Sequence, residues 1–313
     1  MEMRGKIRAG LALIAGIGLI IILFSLQSLN LESFSTLTLS WPYITAMVAS
    51  SIIYVLLGAW KWQLISKQWH GSAPGIGFHF SQSAQTMLLA QFLPLSIATA
   101  VQRAAVLKLK HQIPVIRGIA HAAYDLGFEM LIAILLVPAT LLQLRYDLSF
   151  TSWLYIGIII IALCAVIAWK SGSLLSWLSN ILSHTKPTSK PGEYLRGWRT
   201  HGLLAPRFII IMLTISTARF AVLILRLCIG ATALGLLIPW TAITYTTPLA
   251  TLPSLIPLTP ANLGISEWSW AYLLSLWEIP VATGALYAAA FRILTLATQA
   301  LIAAIAYLFG RKS

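Results

Sequence analysis

The sequence predicts an all-α, polytopic membrane protein, with about six spanning helices plus two opposed re-entrant hairpins in an inverted repeat. Three observations support this class. Of the residues, 58% are hydrophobic and 9% are charged, whereas soluble domains carry about a quarter charged residues. Several apolar runs reach the roughly 20 residues that cross a bilayer, without the alternation of barrel strands. Two further apolar segments are broken by proline and glycine and share a short motif.

Six apolar runs are long enough to be spanning helices. We expect these helices at about 10–29, 42–64, 113–142, 150–170, 205–230 and 280–309. The first run follows three basic residues, as a signal peptide would, but it is longer than the usual run of about 7–15 residues and no A-x-A-like cleavage site follows. We therefore interpret it as a retained helix, and we expect residues 1–313 to form a single membrane domain.

The formal net charge of +13 predicts orientation rather than nucleic-acid binding, because the basic residues collect in short connections at the ends of apolar runs. Lys61 and Lys67 are assigned to the connection after the second helix, and the loop 184–204 is also basic. The connections 30–41 and 231–240 contain no basic residue. The positive-inside rule then places both termini and the loop 184–204 in the cytoplasm of a bacterial inner membrane.

This orientation constrains the two broken segments, 74–110 and 239–278. The helix before segment 74–110 ends in the cytoplasm and the helix after it begins there, so the segment enters and leaves from that side. The same reasoning places both ends of segment 239–278 outside. Irregular backbone at membrane depth must be buried in protein or line a wet cavity. Each segment is therefore predicted to be a re-entrant hairpin.

A short internal repeat supports the inverted arrangement. Phe-Leu-Pro-Leu-Ser around Pro94 matches Leu-Ile-Pro-Leu-Thr around Pro257, and an Ile-Pro-Val motif follows, its proline 20 residues after Pro94 and 23 residues after Pro257. Repeat one is predicted at about 42–142 and repeat two at about 205–309. Inverted repeats with broken helices are typical of transporters with a site near the midplane. The alternative is chance recurrence of a short motif in an apolar chain.

Ionisable residues inside the spans are the strongest functional signal, because each costs at least ~2.5–3.5 kcal/mol at the bilayer centre. The predicted substrate-binding residues are Arg103, Arg219, Arg292, Asn262 and Glu267. The predicted charge-pairing or proton-coupling residues are His121, Asp125 and Glu129. With Arg226, the set has four arginines and three carboxylates. Two interpretations stay open: structural ion pairs, or a wet cavity for an anionic headgroup such as a phosphate.

No catalytic residue, metal site or cofactor is predicted. Gly264-Ile265-Ser266-Glu267 resembles the core of an intramembrane serine protease, but His121 is the only histidine at membrane depth to serve as a base. His121 and Asp125 are too few for a metal site. Asn262 is a candidate helix N-cap, which would point free N–H groups at an anion.

The residues Pro257-Leu258-Thr259-Pro260-Ala261-Asn262-Leu263-Gly264-Ile265-Ser266-Glu267 resemble the P-x-T-P-G-G-L-G-x-x-E segment of the lysylphosphatidylglycerol synthase transmembrane region family. The helix containing Arg292 fits this family, as does Arg103 about nine residues after Pro94. The chain departs from it at Ala261-Asn262, where two glycines are common. The resemblance implies a stand-alone, flippase-like membrane domain that lacks the family's soluble aminoacyltransferase domain.

The expected function is flippase-like translocation of an anionic phospholipid or lipid-linked headgroup across the inner membrane, without a covalent step. Its expected partners are membrane lipids, with a glycosyltransferase or lipid-synthesis enzyme as a further partner and no nucleic acid. The alternative is a non-transporting membrane accessory of a glycosyltransferase or envelope-lipid pathway. A third possibility, an integral-membrane transferase, would require a lipid-dependent chemical product.

Overall fold

The computed structural model describes residues 16–26, 31–111, 115–170, 198–253 and 259–310, and these ranges contain no β-strand. The helices that build the fold, numbered in chain order, are α1 Gly16–Leu26, α2 Leu31–Ser35, α3 Trp41–His70, α4 Ile76–Leu89, α5 Leu95–His111, α6 Val115–Tyr146, α7 Phe150–Lys170, α8 Pro206–Ala233, α9 Trp240–Thr251, α10 Ile265–Ser275 and α11 Val281–Gly310. The predicted all-α class is confirmed.

Five of these helices, α3, α6, α7, α8 and α11, are long and apolar enough to cross a bilayer. They match five of the six predicted spans and confirm a multi-pass membrane protein. The remaining prediction, at 10–29, is described only over the short apolar helix α1, because residues 1–15 and 27–30 lie outside the described part. The predicted basic loop 184–204 is likewise described only from residue 198.

Helix α3 is longer than predicted and ends at His70 rather than near residue 64. Its cap is Gly71, whose φ of 75° allows the left-handed turn that ends many helices, and the Gly71 N–H donates to the Lys67 carbonyl. No proline or glycine lies between Lys61 and Gly71. The assignment of Lys61 to the connection after this helix is therefore wrong, because Lys61 lies inside α3 with 0% of its surface exposed.

The two broken segments are helical hairpins, one formed by α4 and α5 and the other by α9 and α10. We call them hairpin one and hairpin two. Their helices contain 14, 17, 12 and 11 residues, fewer than the roughly 20 that cross a bilayer. Hairpin one turns at 90–94, and hairpin two passes through 252–264, of which 254–258 lie outside the described residues. The prediction of hairpins in the segments 74–110 and 239–278 is confirmed.

The hairpins enter the bundle from opposite ends because α3 and α8, which precede them, are antiparallel neighbours. Met47 near the start of α3 lies beside Gly230 near the end of α8, and Gly58 lies beside Arg219. Towards the other end, the side chain of Ile65 packs in the same apolar cluster as that of Met212. A two-fold rotation perpendicular to these helices would exchange them, which is the relationship expected of an inverted repeat.

The first helix of each hairpin packs against the last helix of the opposite repeat. Helix α4 contacts α11, where Ala84 and Ile302 share an apolar cluster. Helix α9 contacts α6, where the Thr140 hydroxyl donates to the Tyr245 carbonyl at 3.3 Å. Each hairpin therefore packs against helices of both repeats.

The second helix of each hairpin packs closely against the span that follows it, and a glycine permits the approach in both cases. A Cβ placed on Gly118 of α6 would lie 2.5 Å from the Ala104 Cα of α5. A Cβ on Gly284 of α11 would lie 2.9 Å from the Ala271 Cα of α10. These two glycines hold equivalent places in the predicted repeats, and each permits the same close packing of a hairpin helix on the span that follows it.

Candidate functional site

A cavity of about 310 Å³ lies between the tips of the two hairpins. Its walls come from both hairpins and from α3, α6, α8 and α11. Most of the lining is apolar, as in typical ligand sites, with a few polar groups that converge on the space. The charged residues in the lining are Glu129, Arg219, Arg226 and Arg292. The cavity thus combines apolar walls with an excess of positive charge.

Asp125 of α6 is the centre of an ion-pair cluster beside this cavity. Its Oδ1 lies 2.8 Å from the Nζ of Lys61, and Asp125 and Lys61 have 3% and 0% of their side chains exposed. Its Oδ2 accepts from the Nη2 of Arg103, whose Nη1 donates to the His121 carbonyl at 3.1 Å. Three helices, α3, α5 and α6, are joined here by buried charges. Removing one member of such a cluster strands the others.

Glu129, one turn further along α6, adds a fourth helix, α8, to this cluster. Its Oε1 lies 2.9 Å from the Nζ of Lys61 and 2.8 Å from the Nη1 of Arg219. The Arg219 guanidinium also donates through Nε to the Tyr54 carbonyl at 3.3 Å, and its central carbon lies 4.1 Å from the centre of the Tyr54 ring. Gly58 makes room for this group, because a Cβ there would lie 3.1 Å from the same carbon.

The turn of hairpin two is held by Glu267 and Arg292. Glu267 accepts from the Nε of Arg292 through Oε1 and from the Gly264 N–H through Oε2, the latter at 2.8 Å. The Nη1 of Arg292 donates to the Ala261 carbonyl at 3.2 Å. This ion pair joins α10 to α11, as the Arg103–Asp125 pair joins α5 to α6. In hairpin one the arginine lies on the hairpin helix and the carboxylate on the span, whereas in hairpin two the carboxylate lies on the hairpin helix and the arginine on the span.

The prediction that Asn262 caps the new helix is wrong. Helix α10 begins at Ile265, its N-cap is Gly264, and Glu267 supplies the side chain that satisfies the N-cap N–H. Asn262 lies in a 3-10 turn, where Ala261 and Asn262 have φ values of 52° and 53°. A right-handed helix excludes such positive φ values. Asn262 still lines the cavity, as part of the hairpin tip.

Arg226 differs from the other buried arginines because no ion pair with it occurs among the described residues. It has 8% of its surface exposed, and its Nε has no hydrogen-bond partner. The guanidinium carbon lies 5.4 Å from the centre of the Tyr54 ring and 5.7 Å from that of the Phe291 ring. Two aromatic faces supply part of its stabilisation as cation–π contacts.

The predicted site residues divide between the cavity and its surroundings. Arg219, Arg292, Asn262 and Glu129 line it. Arg103 and Asp125 instead line an adjoining space of about 20 Å³, enough for about one water molecule. Glu267 lies behind the hairpin turn, with 1% of its surface exposed.

The ring of His121 lies in an aromatic cluster, 4.4 Å from the Trp69 ring and 5.2 Å from the His70 ring, measured between centres. Neither ring nitrogen of His121 has a hydrogen-bond partner within the part of the chain that the structure describes. Arg117 precedes His121, Asp125 and Glu129 on α6 at the same interval of four residues. A helix turns by about 40° every four residues, and Arg117, at the start of this series, is exposed.

Lys61 is the site residue that the sequence interpretation missed. The available signal was the absence of any breaker between Lys61 and Gly71, which places Lys61 within the span. Including it, five cationic side chains face three carboxylates, an excess of two positive charges rather than the predicted one. No group of three histidine, cysteine or acidic side chains suited to a metal occurs in the described ranges.

Comparisons with known proteins place the chain in a family. The search of curated proteins and the search of solved structures each produced no match. The model of the lysylphosphatidylglycerol synthase TM region matches residues 7–303 of the 313. The match includes both hairpins and every residue of the cavity wall. The chain belongs to the lysylphosphatidylglycerol synthase TM region family.

Proposed function

We propose that this protein translocates an anionic phospholipid or a lipid-linked anionic headgroup between the two leaflets of the membrane. The observation that carries the proposal is the cavity of about 310 Å³ between two hairpins that enter from opposite ends of the bundle. A site that each hairpin separates from one side of the membrane is suited to alternating exposure. The family name, which refers to a lipid, supports a lipid as the cargo.

The charge of the cavity favours an anionic headgroup. Arg219, Arg226 and Arg292 line it, together with the single carboxylate of Glu129. Guanidinium groups bind phosphate oxygens through two parallel hydrogen bonds, and these hydrogen bonds are strongest where water is excluded. Apolar lining residues such as Leu95, Leu126 and Phe220 offer contact to an acyl or prenyl chain. A lipid with a phosphate headgroup satisfies both kinds of surface.

The ion pairs suggest how alternating exposure takes place. Each hairpin is tied to the span after it by one ion pair, the buried Arg103–Asp125 pair in repeat one and the partly buried Glu267–Arg292 pair in repeat two. Because Arg292 also lines the cavity, a headgroup there competes with Glu267 for the same guanidinium. Binding would then loosen the turn of hairpin two while hairpin one stays closed. No covalent intermediate is needed.

Leaflet exchange in reconstituted vesicles tests this proposal. The purified chain is placed in phosphatidylcholine vesicles that contain a trace of fluorescent phosphatidylglycerol, and a membrane-impermeant reductant removes the fluorescence of the outer leaflet. We expect the protected fraction to fall below that of protein-free vesicles. Arg292→Ala and Asp125→Asn should slow exchange by about tenfold or more, because each removes or strands a buried charge.

The matched control is Arg207→Gln, which removes an exposed arginine at the beginning of α8 and should exchange lipid at the wild-type rate. Gel filtration and thermal unfolding separate a folded, inactive variant from an unfolded one. If the folded Arg292→Ala protein exchanges lipid as fast as the control, the site assignment is wrong. If wild-type vesicles match protein-free vesicles for every anionic lipid, translocation is refuted and the non-transporting accessory is favoured.

A further inference from the structure

One of the two excess positive charges is carried by a single residue of the cavity wall, Arg226. Arg219 is paired with Glu129 and Arg292 with Glu267, whereas Arg226 has no such partner in the described ranges and its Nε is unbonded. A buried cation without a carboxylate is costly in a membrane interior. Arg226 is therefore the side chain from which a bound anion would remove the largest energetic penalty.

A second set of unbonded polar groups lies on α11, on the same wall of the cavity. The Thr295 hydroxyl and the Gln299 Oε1 are buried and have no hydrogen-bond partner among the described residues, and the two residues have 6% and 1% of their surface exposed. They follow Phe291, which contacts Arg226, at intervals of four residues. Four residues rise about 6 Å along a helix. The neutral polar track Thr295–Gln299 thus starts beside Arg226 and extends about 12 Å from Phe291 along α11.

Neither carboxylate beside the cavity is available for a cationic headgroup. Glu129 already pairs with Lys61 and Arg219. Glu267 accepts from Arg292 and from the Gly264 N–H. An ammonium group in the cavity would lack an acidic partner and would meet the excess positive charge. The site therefore favours a headgroup extension that is polar and uncharged.

We propose that the cavity recognises a phosphodiester whose headgroup carries a hydroxyl-rich, uncharged extension such as glycerol or a sugar. Arg226 binds the phosphate, and Thr295 and Gln299 hydrogen-bond the hydroxyl groups of the extension. This inference rests on the proposed function, since it specifies the lipid that the cavity would carry. It adds Arg226, Thr295 and Gln299 to the site. Helix α8 then recognises the phosphate, and α11 recognises the uncharged extension.

Lipid binding to the full chain, in a polyoxyethylene detergent that has neither charge nor sugar, tests the proposal by native mass spectrometry. The probes are phosphatidylglycerol, phosphatidylmethanol and phosphatidylethanolamine. Phosphatidylmethanol has the same charge as phosphatidylglycerol but no free hydroxyl group on its headgroup. We expect phosphatidylglycerol to bind about tenfold more tightly than phosphatidylmethanol, since two hydrogen bonds are at stake, and phosphatidylethanolamine to bind most weakly.

Variants separate the two recognition tasks. Arg226→Gln should weaken the binding of both anionic lipids by about 10- to 100-fold, because it removes a charge-assisted contact. Arg207→Gln, at an exposed position on the same helix, should not weaken it. The double variant Thr295→Val/Gln299→Met should weaken phosphatidylglycerol binding to the level of phosphatidylmethanol binding, and it should leave the affinity for phosphatidylmethanol unchanged. Thr298→Val is the matched control, because Thr298 donates to the Leu294 carbonyl and does not line the cavity.

Several outcomes would overturn the inference. One is equal phosphatidylglycerol binding by Arg226→Gln and Arg207→Gln, and another is phosphatidylethanolamine binding as tight as phosphatidylglycerol. Free glycerol phosphate that displaces the lipid at equal concentration would overturn the assignment to a lipid headgroup. Arg226-dependent binding without leaflet exchange would refute translocation and leave this recognition standing. Arg226→Gln is expected to remain folded, because it removes a buried charge that has no carboxylate partner in the described ranges.

Discussion

The Nζ of Lys61 on α3 and the Oδ1 of Asp125 on α6 form an ion pair at 2.8 Å, with 0% and 3% of their side chains exposed. The same ammonium group lies 2.9 Å from Glu129. One lysine thus neutralises parts of two carboxylates in the interior of the bundle. Its loss would leave both with one cationic partner each, Arg103 for Asp125 and Arg219 for Glu129.

We predict that Lys61→Met lowers the free energy of unfolding by about 3–5 kcal/mol, the usual cost of breaking a buried ion pair from one side. Lys67→Met on the same helix is the control, because Lys67 is exposed and its loss should change stability by less than about 0.5 kcal/mol. Thermal unfolding of both variants in detergent measures the difference. Equal stability of the two variants would contradict the burial of Lys61.

The close packing of the hairpins on their spans depends on Gly118 and Gly284. A Cβ at these positions would lie 2.5 Å from the Ala104 Cα and 2.9 Å from the Ala271 Cα. Gly118→Ala and Gly284→Ala should each destabilise the fold by about 1–3 kcal/mol, because backbone must move to admit the methyl group. Gly127→Ala on α6, with no atom within 4 Å of the added Cβ, should stabilise by up to about 1 kcal/mol.

Changes of opposite sign in the free energy of unfolding for Gly118→Ala and Gly127→Ala, measured by thermal unfolding, would support the packing of α5 against α6. The two variants add the same methyl group to the same helix, so helix propensity is matched. A stabilising Gly118→Ala would show that the two helices are further apart than described.

The tip of hairpin two contains a residue in a conformation that suits glycine better. Ala261 has φ 52° and ψ 22°, and its carbonyl accepts from Arg292. Left-handed backbone costs a non-glycine residue about 1–2 kcal/mol. Ala261→Gly should therefore stabilise the protein by about 1 kcal/mol after the larger unfolded-state entropy of glycine is counted.

Ala123→Gly, at an exposed helical position of α6, should have the opposite effect and destabilise by about 1 kcal/mol. Thermal unfolding of these two variants and of the wild type, measured side by side, gives the change in stability. A loss of stability in Ala261→Gly would argue against a positive φ at the tip.

The opposed entry of the hairpins predicts opposite labelling of their outer ends. Ser72, just before hairpin one, and Glu278, just after hairpin two, are both exposed. In a variant with Cys164 and Cys228 replaced, Ser72→Cys should react with an impermeant thiol reagent only from the cytoplasmic side. Glu278→Cys should react only from the other side. Intact cells and inverted membrane vesicles give the two measurements, and labelling of both positions from one side would contradict the inverted repeat.

The hairpins and most of the spans could be predicted because their signals are local. An apolar run of about 20 residues indicates a span wherever it occurs, and prolines and glycines within the segments 74–110 and 239–278 indicate where such runs are broken. The predicted end of α3 is too early because Lys61 and Lys67 were both interpreted as topology signals. The helix continues to His70 and is ended by Gly71, whose φ of 75° lies in the left-handed region.

The partners of the buried charges could not be predicted in the same way. Lys61 meets Asp125 across 64 residues of sequence, and Arg219 meets Glu129 across 90. Spacing along one helix gives the face on which a residue lies, but it does not give the neighbouring helix. The antiparallel packing of α3 and α8 decided that Glu129 pairs with Lys61 and Arg219. It also decided that Arg226 has Tyr54 and Phe291 beside it, with no carboxylate partner in the part of the chain that the structure describes.

The sequence by itself determined the membrane class, five of the spanning helices, the two hairpins and the motif that places the chain in its family, because hydrophobic length and chain breaks act over a few turns. Only the tertiary structure decided which buried charges have a carboxylate partner among the described residues. That outcome depends on contacts between helices far apart in the chain, where a carboxylate within hydrogen-bonding distance neutralises a buried arginine.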